Sequence, residues 1–130
     1  MICLDTNYLI LGVSPGTRES RELLAWHEAG EPLVTPMLAW FEFLCGPVNA
    51  AQIAVMRAFL DSLVVFDEAH AVEAARLFKA VSRKRSLRVD SLIAATATTA
   101  GARLATNNRA DFEPFRAHGL QLVSSPLKTL

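Results

Sequence analysis

No excess of charge marks this chain: 13 Lys and Arg face 13 Asp and Glu, so the formal net charge is zero. Proteins that coat nucleic acid without regard to sequence are usually strongly basic, which disfavours that class. Long apolar runs are also missing. The longest, Pro36 to Phe41, is cut by Glu42 and Pro47, and no stretch reaches the roughly 20 residues that a membrane span requires. No basic region precedes the apolar start, which argues against a signal peptide. Cysteine is limited to Cys3 and Cys45, each in an apolar stretch; the expectation is two buried free thiols in a reducing cytoplasm. His27, His70 and His118 are too scattered for zinc-ligand spacing. There is no Walker loop, no dinucleotide fingerprint and no G-x-S-x-G elbow. The segment Gly12 to Gly16 has two glycines, but Pro15 and the missing lysine make it a turn. Repeats, low-complexity tracts and linkers are absent.

What is there reads as one domain over residues 1–130. A chain of this length buries about two-thirds of its unfolded surface, and with 52% hydrophobic residues it needs no covalent staples. Short apolar strands are expected at Ile2–Leu4, Pro32–Thr35, Val64–Phe66, Arg103–Thr106 and Leu120–Val123. Helices are expected between them: Asn7–Val13, Arg18–Ala29 closed by Gly30, and a third to Cys45 with Thr35 as cap and Pro36 at its first position. A fourth follows Asn49, with Ile53, Met56, Phe59 and Leu60 at helical spacing. Asp67 opens a helix over Glu68–Arg85, with Ala71, Ala74, Ala75 and Phe78 on one face. Val89–Ala100, closed by Gly101, completes the set. Such alternation implies an α/β fold with a mostly parallel, about five-stranded sheet covered on both faces. Ligands in such folds bind outside the carboxyl ends of the strands, where Asp5 and Thr106-Asn107-Asn108 fall.

Several carboxylates stand in places where burial makes them costly. Glu42 is the only charged residue from Leu33 to Met56, among Trp40, Phe41, Phe43 and Leu44; unless it lies on a thin solvent-facing stripe, something must compensate it. Asp90 opens a helix of small and apolar residues and is the only acid between Glu73 and Asp111. Asp5 and Asp90 each have an ordinary reading at a helix N-terminus, and Asp111 alone reads as a loop acid. Together, three or four acids from distant parts of the chain would converge at one sheet edge and repel one another. A hard divalent cation resolves the repulsion: Mg²⁺ or Mn²⁺ takes oxygen ligands, keeps waters and bridges to phosphate.

The pieces Asp5-Thr6-Asn7-Tyr8-Leu9, then Glu42, then Asp90-Ser91-Leu92-Ile93-Ala94-Ala95-Thr96-Ala97, then Thr106-Asn107-Asn108-Arg109-Ala110-Asp111-Phe112 come in an order that resembles the PIN-domain ribonucleases. The likeness is strongest to the small VapC-type toxins of bacterial toxin–antitoxin pairs, and it covers essentially the whole length. It implies an α/β/α sandwich and a metal-dependent endoribonuclease cutting structured RNA such as tRNA or ribosomal RNA. By this analogy Asp5, Glu42, Asp90 and Asp111 are the catalytic and metal-holding acids, with Mg²⁺ or Mn²⁺ as cofactor. Asn7, Thr106 and Asn108 would position substrate or water. The resemblance also implies a homodimer, a cognate VapB-type antitoxin and a cytoplasmic protein without membrane attachment.

The segment from Arg76 to Arg88 carries six bases and no acid. Its plain reading is a solvated helix face; beside an RNA-cleaving site, Arg83, Lys84, Arg85 and Arg88 also suit an RNA backbone. Two other classes compete. A non-catalytic PIN-like module would bind RNA or protein without cutting, but it should have lost acids that are all present here. A phosphatase or receiver-like domain built on Asp5 would need a second nearby aspartate, which Asp5-Thr6-Asn7 lacks.

Overall fold

A computed structural model describes residues 1–127; the last three residues of the domain expected over 1–130 lie outside the described residues. The chain runs β1 (Ile2–Leu4), α1 (Thr6–Gly12), α2 (Arg18–Glu28), β2 (Leu33–Pro36), α3 (Met37–Cys45), α4 (Ala50–Phe59), β3 (Ser62–Val64) and α5 (Glu68–Ala80). After a 3₁₀ turn over Arg85–Leu87 come α6 (Arg88–Ala100), β4 (Arg103–Ala105), α7 (Arg109–Phe112), a second 3₁₀ segment over Glu113–His118 and β5 (Gln121–Leu122). The five strands form one parallel sheet in the order β3-β2-β1-β4-β5.

The period of two along a strand divides the core. On β1, Ile2 and Leu4 face a layer built by α1 to α4, packing with Leu9, Leu23, Trp26, Phe43 and Met56. Cys3, between them, faces the opposite layer of α5, α6 and the chain after β4, with Ala74, Leu77, Ala94, Phe112 and Phe115. Leu33 and Val34 on β2 split the same way. The result is the three-layer α/β/α sandwich expected. With β1 central, its carboxyl end lies in the middle of one sheet edge.

Local chemistry sets most boundaries. Asp5, Asn49 and Asp67 cap α1, α4 and α5 as expected, the last two with reciprocal bonds from Gln52 and His70. Gly101 ends α6 at φ 66°, a conformation that costs glycine little.

Several expectations are corrected. Thr35 does not cap α3: it sits inside β2, its hydroxyl donating to the Leu4 carbonyl at 2.7 Å, and Pro36 takes the cap position with no side-chain bond. The third strand is Ser62–Val64, not Val64–Phe66, because pairing with β2 starts at Val34–Ser62. Val65 and Phe66 are left exposed beyond it. The helix expected to reach Arg85 stops at Ala80, and Ser82 and Arg83 take left-handed φ values of 62° and 53°. Continuing the helix would stack like charges; the turn instead drops Leu87 into the core. The buried face of α5 is His70, Ala74 and Leu77, while Ala71, Ala75 and Phe78 line an open apolar groove. Cys45 is exposed, not buried.

Candidate active site

The carboxyl edge of the sheet presents a polar cleft of about 200 Å³ lined by Asp5, Thr6, Asn7, Glu42, Val89, Asp90, Ile93 and Asn108. The lining comes from four parts of the chain: the β1–α1 junction, α3, the start of α6 and the loop after β4. Asp5 ends β1 and caps α1, so strand pairing and helix initiation both fix it. Its N–H donates to the Ala105 carbonyl at 3.0 Å, which ties it to the end of β4. Its carboxylate accepts from the Thr6 N–H at 2.8 Å on Oδ1 and from the Thr106 hydroxyl at 2.8 Å on Oδ2. Thr106 also accepts from the Asn108 N–H at 3.0 Å. One buried hydroxyl therefore joins the first acid to the loop that carries Asn108. Glu42 reaches the cleft from α3 and Asp90 from the first turn of α6.

The electrostatics are unrelieved. Burial raises the Asp5 carboxyl above its ordinary value, and the Thr6 and Thr106 bonds work against that rise. Glu42 is exposed and not enclosed by its apolar neighbours in sequence; partial desolvation and then the Asp5 charge still raise its carboxyl, with the Thr6 hydroxyl opposing. Asp90 is pushed up to about 6, first by burial and then by the charges of Asp111, Asp5 and Glu42. Among the described residues none of the four acids forms an ion pair with a Lys or Arg. A group of carboxylates left this way holds negative charge that a cation can neutralise.

The donor set fits a hard cation, being all oxygen. Among the described residues no three Asp, Glu, His or Cys side chains form a ready-made all-protein cage. Mg²⁺ sites in general use one or two carboxylates and keep several waters.

The sequence-derived candidates divide into three groups. Asp5, Asn7, Glu42, Asp90 and Asn108 meet in one cleft, and Thr106 braces it from beneath. Asp111 is exposed on α7 and does not line the cleft; it acts on Asp90 through charge. Arg83, Lys84, Arg85 and Arg88 are exposed and lie outside the cleft lining, with Arg88 placed over the Phe78 ring at 5.8 Å. Sequence reasoning missed Thr6. It also missed a buried polar cluster behind the loop: Glu19 and Glu22 are 7% and 1% exposed and gather around Arg18. Both read as ordinary helix-surface acids in sequence, so no local signal marked them.

Fold and cleft together define a class: an α/β domain with an acidic, oxygen-lined site at the carboxyl edge of a parallel sheet. The chain belongs to the PIN domain family, whose model matches residues 2–116 and whose members are nucleases. Among solved structures, a toxin–antitoxin complex from Klebsiella pneumoniae is similar at 25% identity and TM-score 0.68, covering 86% of this chain and 90% of that one. VapBC2 from Rickettsia felis, bound to a promoter DNA fragment, aligns at 19% identity and TM-score 0.75 over 95% and 98% of the two chains. FitAcB from Neisseria gonorrhoeae aligns at 19% identity and TM-score 0.69 over 96% and 98%. No functionally curated protein matches. Among the described residues no helix is long and apolar enough to cross a membrane.

Proposed function

We propose that the chain is a single-domain, metal-dependent endoribonuclease, the toxin of a toxin–antitoxin pair, cutting structured RNA such as tRNA or ribosomal RNA in the cytoplasm. The observation that carries this reading is the group of unpaired acids around Asp90, whose carboxyl is pushed up first by burial and then by the charges of the other three. Asp5, Glu42 and Asp90 would supply the carboxylates for Mg²⁺ or Mn²⁺, one or two directly and the rest through water, and Asp111 would add its charge from outside the cleft lining. Bound there, the ion would neutralise charge and make a water more acidic, the chemistry needed for in-line hydrolysis at phosphorus. Thr106 orients Asp5 through its hydroxyl. Asn7 and Asn108 position the phosphate or the attacking water, which leaves a 5′-phosphate and a 3′-hydroxyl. The exposed bases Arg83, Lys84, Arg85 and Arg88 lead into the first turn of α6, which carries Asp90, and so suit the flanking RNA backbone.

Two partners belong to the same reading. The apolar face formed by Met37, Val64, Phe66 and Leu92 borders the cleft at Ile93 and suits a second copy of the chain. The groove of Leu24, Val55 and Phe59 between α2 and α4 suits an apolar antitoxin segment. Exposed apolar surface of this kind commonly marks a protein interface.

The test is cleavage of total RNA and pooled tRNA by antitoxin-free protein, with Mg²⁺, Mn²⁺ or EDTA, beside Asp90→Asn. Discrete cuts that need both metal and Asp90 are expected. Wild-type cleavage by folded Asp90→Asn ends the reading. Metal-independent RNA binding without cleavage favours the non-catalytic module instead.

A further inference from the structure

Arg18 is an odd residue for its position. It opens α2, where the positive end of the helix dipole disfavours a cation. Its neighbours explain why it is there. Arg18 Nη2 donates to Glu19 Oε1 at 3.0 Å, and its Nε lies 3.7 Å from Glu22 Oε1. Glu22 is nearly inaccessible, in a position that an apolar residue would fill at lower cost. Stability alone therefore does not account for this group.

The same guanidinium reaches across the chain. Arg18 Nη2 also donates to Asn107 Oδ1 at 2.9 Å, and Asn107 Nδ2 donates to Glu19 Oε1 at 3.4 Å. Asn107 sits between Thr106, which donates to Asp5, and Asn108, which lines the cleft. From the other side, the Tyr8 hydroxyl donates to Glu22 Oε1 at 3.1 Å, and Tyr8 lies on α1 three residues after Asp5. Two of the four pieces of backbone that deliver the cleft's oxygens, the β1–α1 junction and the 106–108 loop, are thus tied from behind to the start of α2.

We infer that Arg18, with Glu19, Glu22 and Asn107, is a positioning group for the acidic cleft. It pins the 106–108 loop so that Thr106 holds Asp5 at one rotamer and Asn108 faces the cleft. This rests on the metal-nuclease reading and adds to it residues that touch neither metal nor substrate. Groups bonded directly to a metal ligand, as Thr106 is to Asp5, commonly change metal affinity or activity by about 10–100-fold, and a group that holds Thr106 in place acts at the lower end of that range.

Asn107→Ala cuts the tie while leaving both buried glutamates paired with Arg18, and Asn107 is exposed, so the fold should survive. Arg18→Lys keeps the charge and loses the fork that reaches Asn107. Amide hydrogen exchange of residues 106–109 is measured without metal, Mn²⁺ affinity by calorimetry, and kcat and KM on the cleaved RNA. The expected result is exchange about 10-fold faster in that loop only, Mn²⁺ affinity about 10-fold weaker, lower kcat and unchanged KM. If wild type binds Mn²⁺ and both variants match it in exchange and affinity, the positioning role is overturned. A wild type that binds no Mn²⁺ overturns the metal reading and, with it, the metal-positioning role.

Discussion

Replacing Asp90 with asparagine should make the metal-free protein more stable. The carboxyl is carried from 3.8 to about 6 by burial and by the charges of Asp111, Asp5 and Glu42. A folded-state value above the unfolded one means that the native protein holds the proton more tightly. Wild type therefore loses stability as pH rises through the window from about 3.8 to about 6 and stays at the lower level above it. At about 1.4 kcal/mol per tenfold change in proton affinity, a dry site would give about 3 kcal/mol. Asp90 is partly exposed, so solvent screening reduces this to about 1–2 kcal/mol. Asparagine keeps the shape and removes the charge. In EDTA at pH 7.5, Asp90→Asn should melt about 4–8 °C higher than wild type. At pH 4, where the aspartate is largely protonated, the two should nearly coincide. Paired thermal melts by circular dichroism at both pH values suffice. Equal melting at pH 7.5, or a gain that persists undiminished at pH 4, would show that the cleft's acids do not strain the fold. A gain in stability on removing a charge from the cleft is the trade-off expected of a site built for a ligand.

The complementary experiment adds the ion. Millimolar Mg²⁺ or Mn²⁺ should raise the wild-type melting temperature in a concentration-dependent way and leave Asp90→Asn nearly unmoved; equal shifts would point to binding elsewhere. Thr106→Val removes the hydroxyl that donates to Asp5 and accepts from the Asn108 N–H. It should cost about 1–3 kcal/mol in urea melts, through two lost bonds and a partly desolvated carboxylate, and should weaken Mn²⁺ binding. Phe115→Ala empties a fully buried position in the layer of α5 and α6 and should cost about 3–5 kcal/mol by the same melts. A loss below about 1 kcal/mol would mean that the segment after β4 is not part of the folded core.

The first strand could be read in sequence, ends included, because its causes are local. Ile2-Cys3-Leu4 is apolar on both faces, as a central parallel strand must be, and Asp5 halts it with a cap that starts α1. Asn49, Asp67 and Gly101 carry their signals in one or two residues. The α/β class followed from the alternation itself. Errors occurred where apolar character is local but its partner is distant. Val65 and Phe66 read as strand, yet register with β2 is set at Ser62–Val64, and the two residues lie exposed. The basic segment read as helix because propensity counts residues one at a time, whereas the left-handed pair Ser82-Arg83 is imposed by the need to bury Leu87 and begin α6.

The acids of the cleft were candidates from composition, Glu42 and Asp90 because each stands alone in an apolar stretch. That Asp5, Glu42 and Asp90 share one cleft while Asp111 stays at the rim was decided by the sheet order, which puts β1 beside both β2 and β4. Arg18, Glu19 and Glu22 show the opposite case. In sequence they are ordinary members of an amphipathic helix; only the fold brings Asn107 to Arg18 and to Glu19, 88 residues away, and the Tyr8 hydroxyl to Glu22. Sequence determines what each residue prefers among its near neighbours. Tertiary structure decides which charges come to share one cleft, because only the sheet brings distant parts of the chain to the same edge.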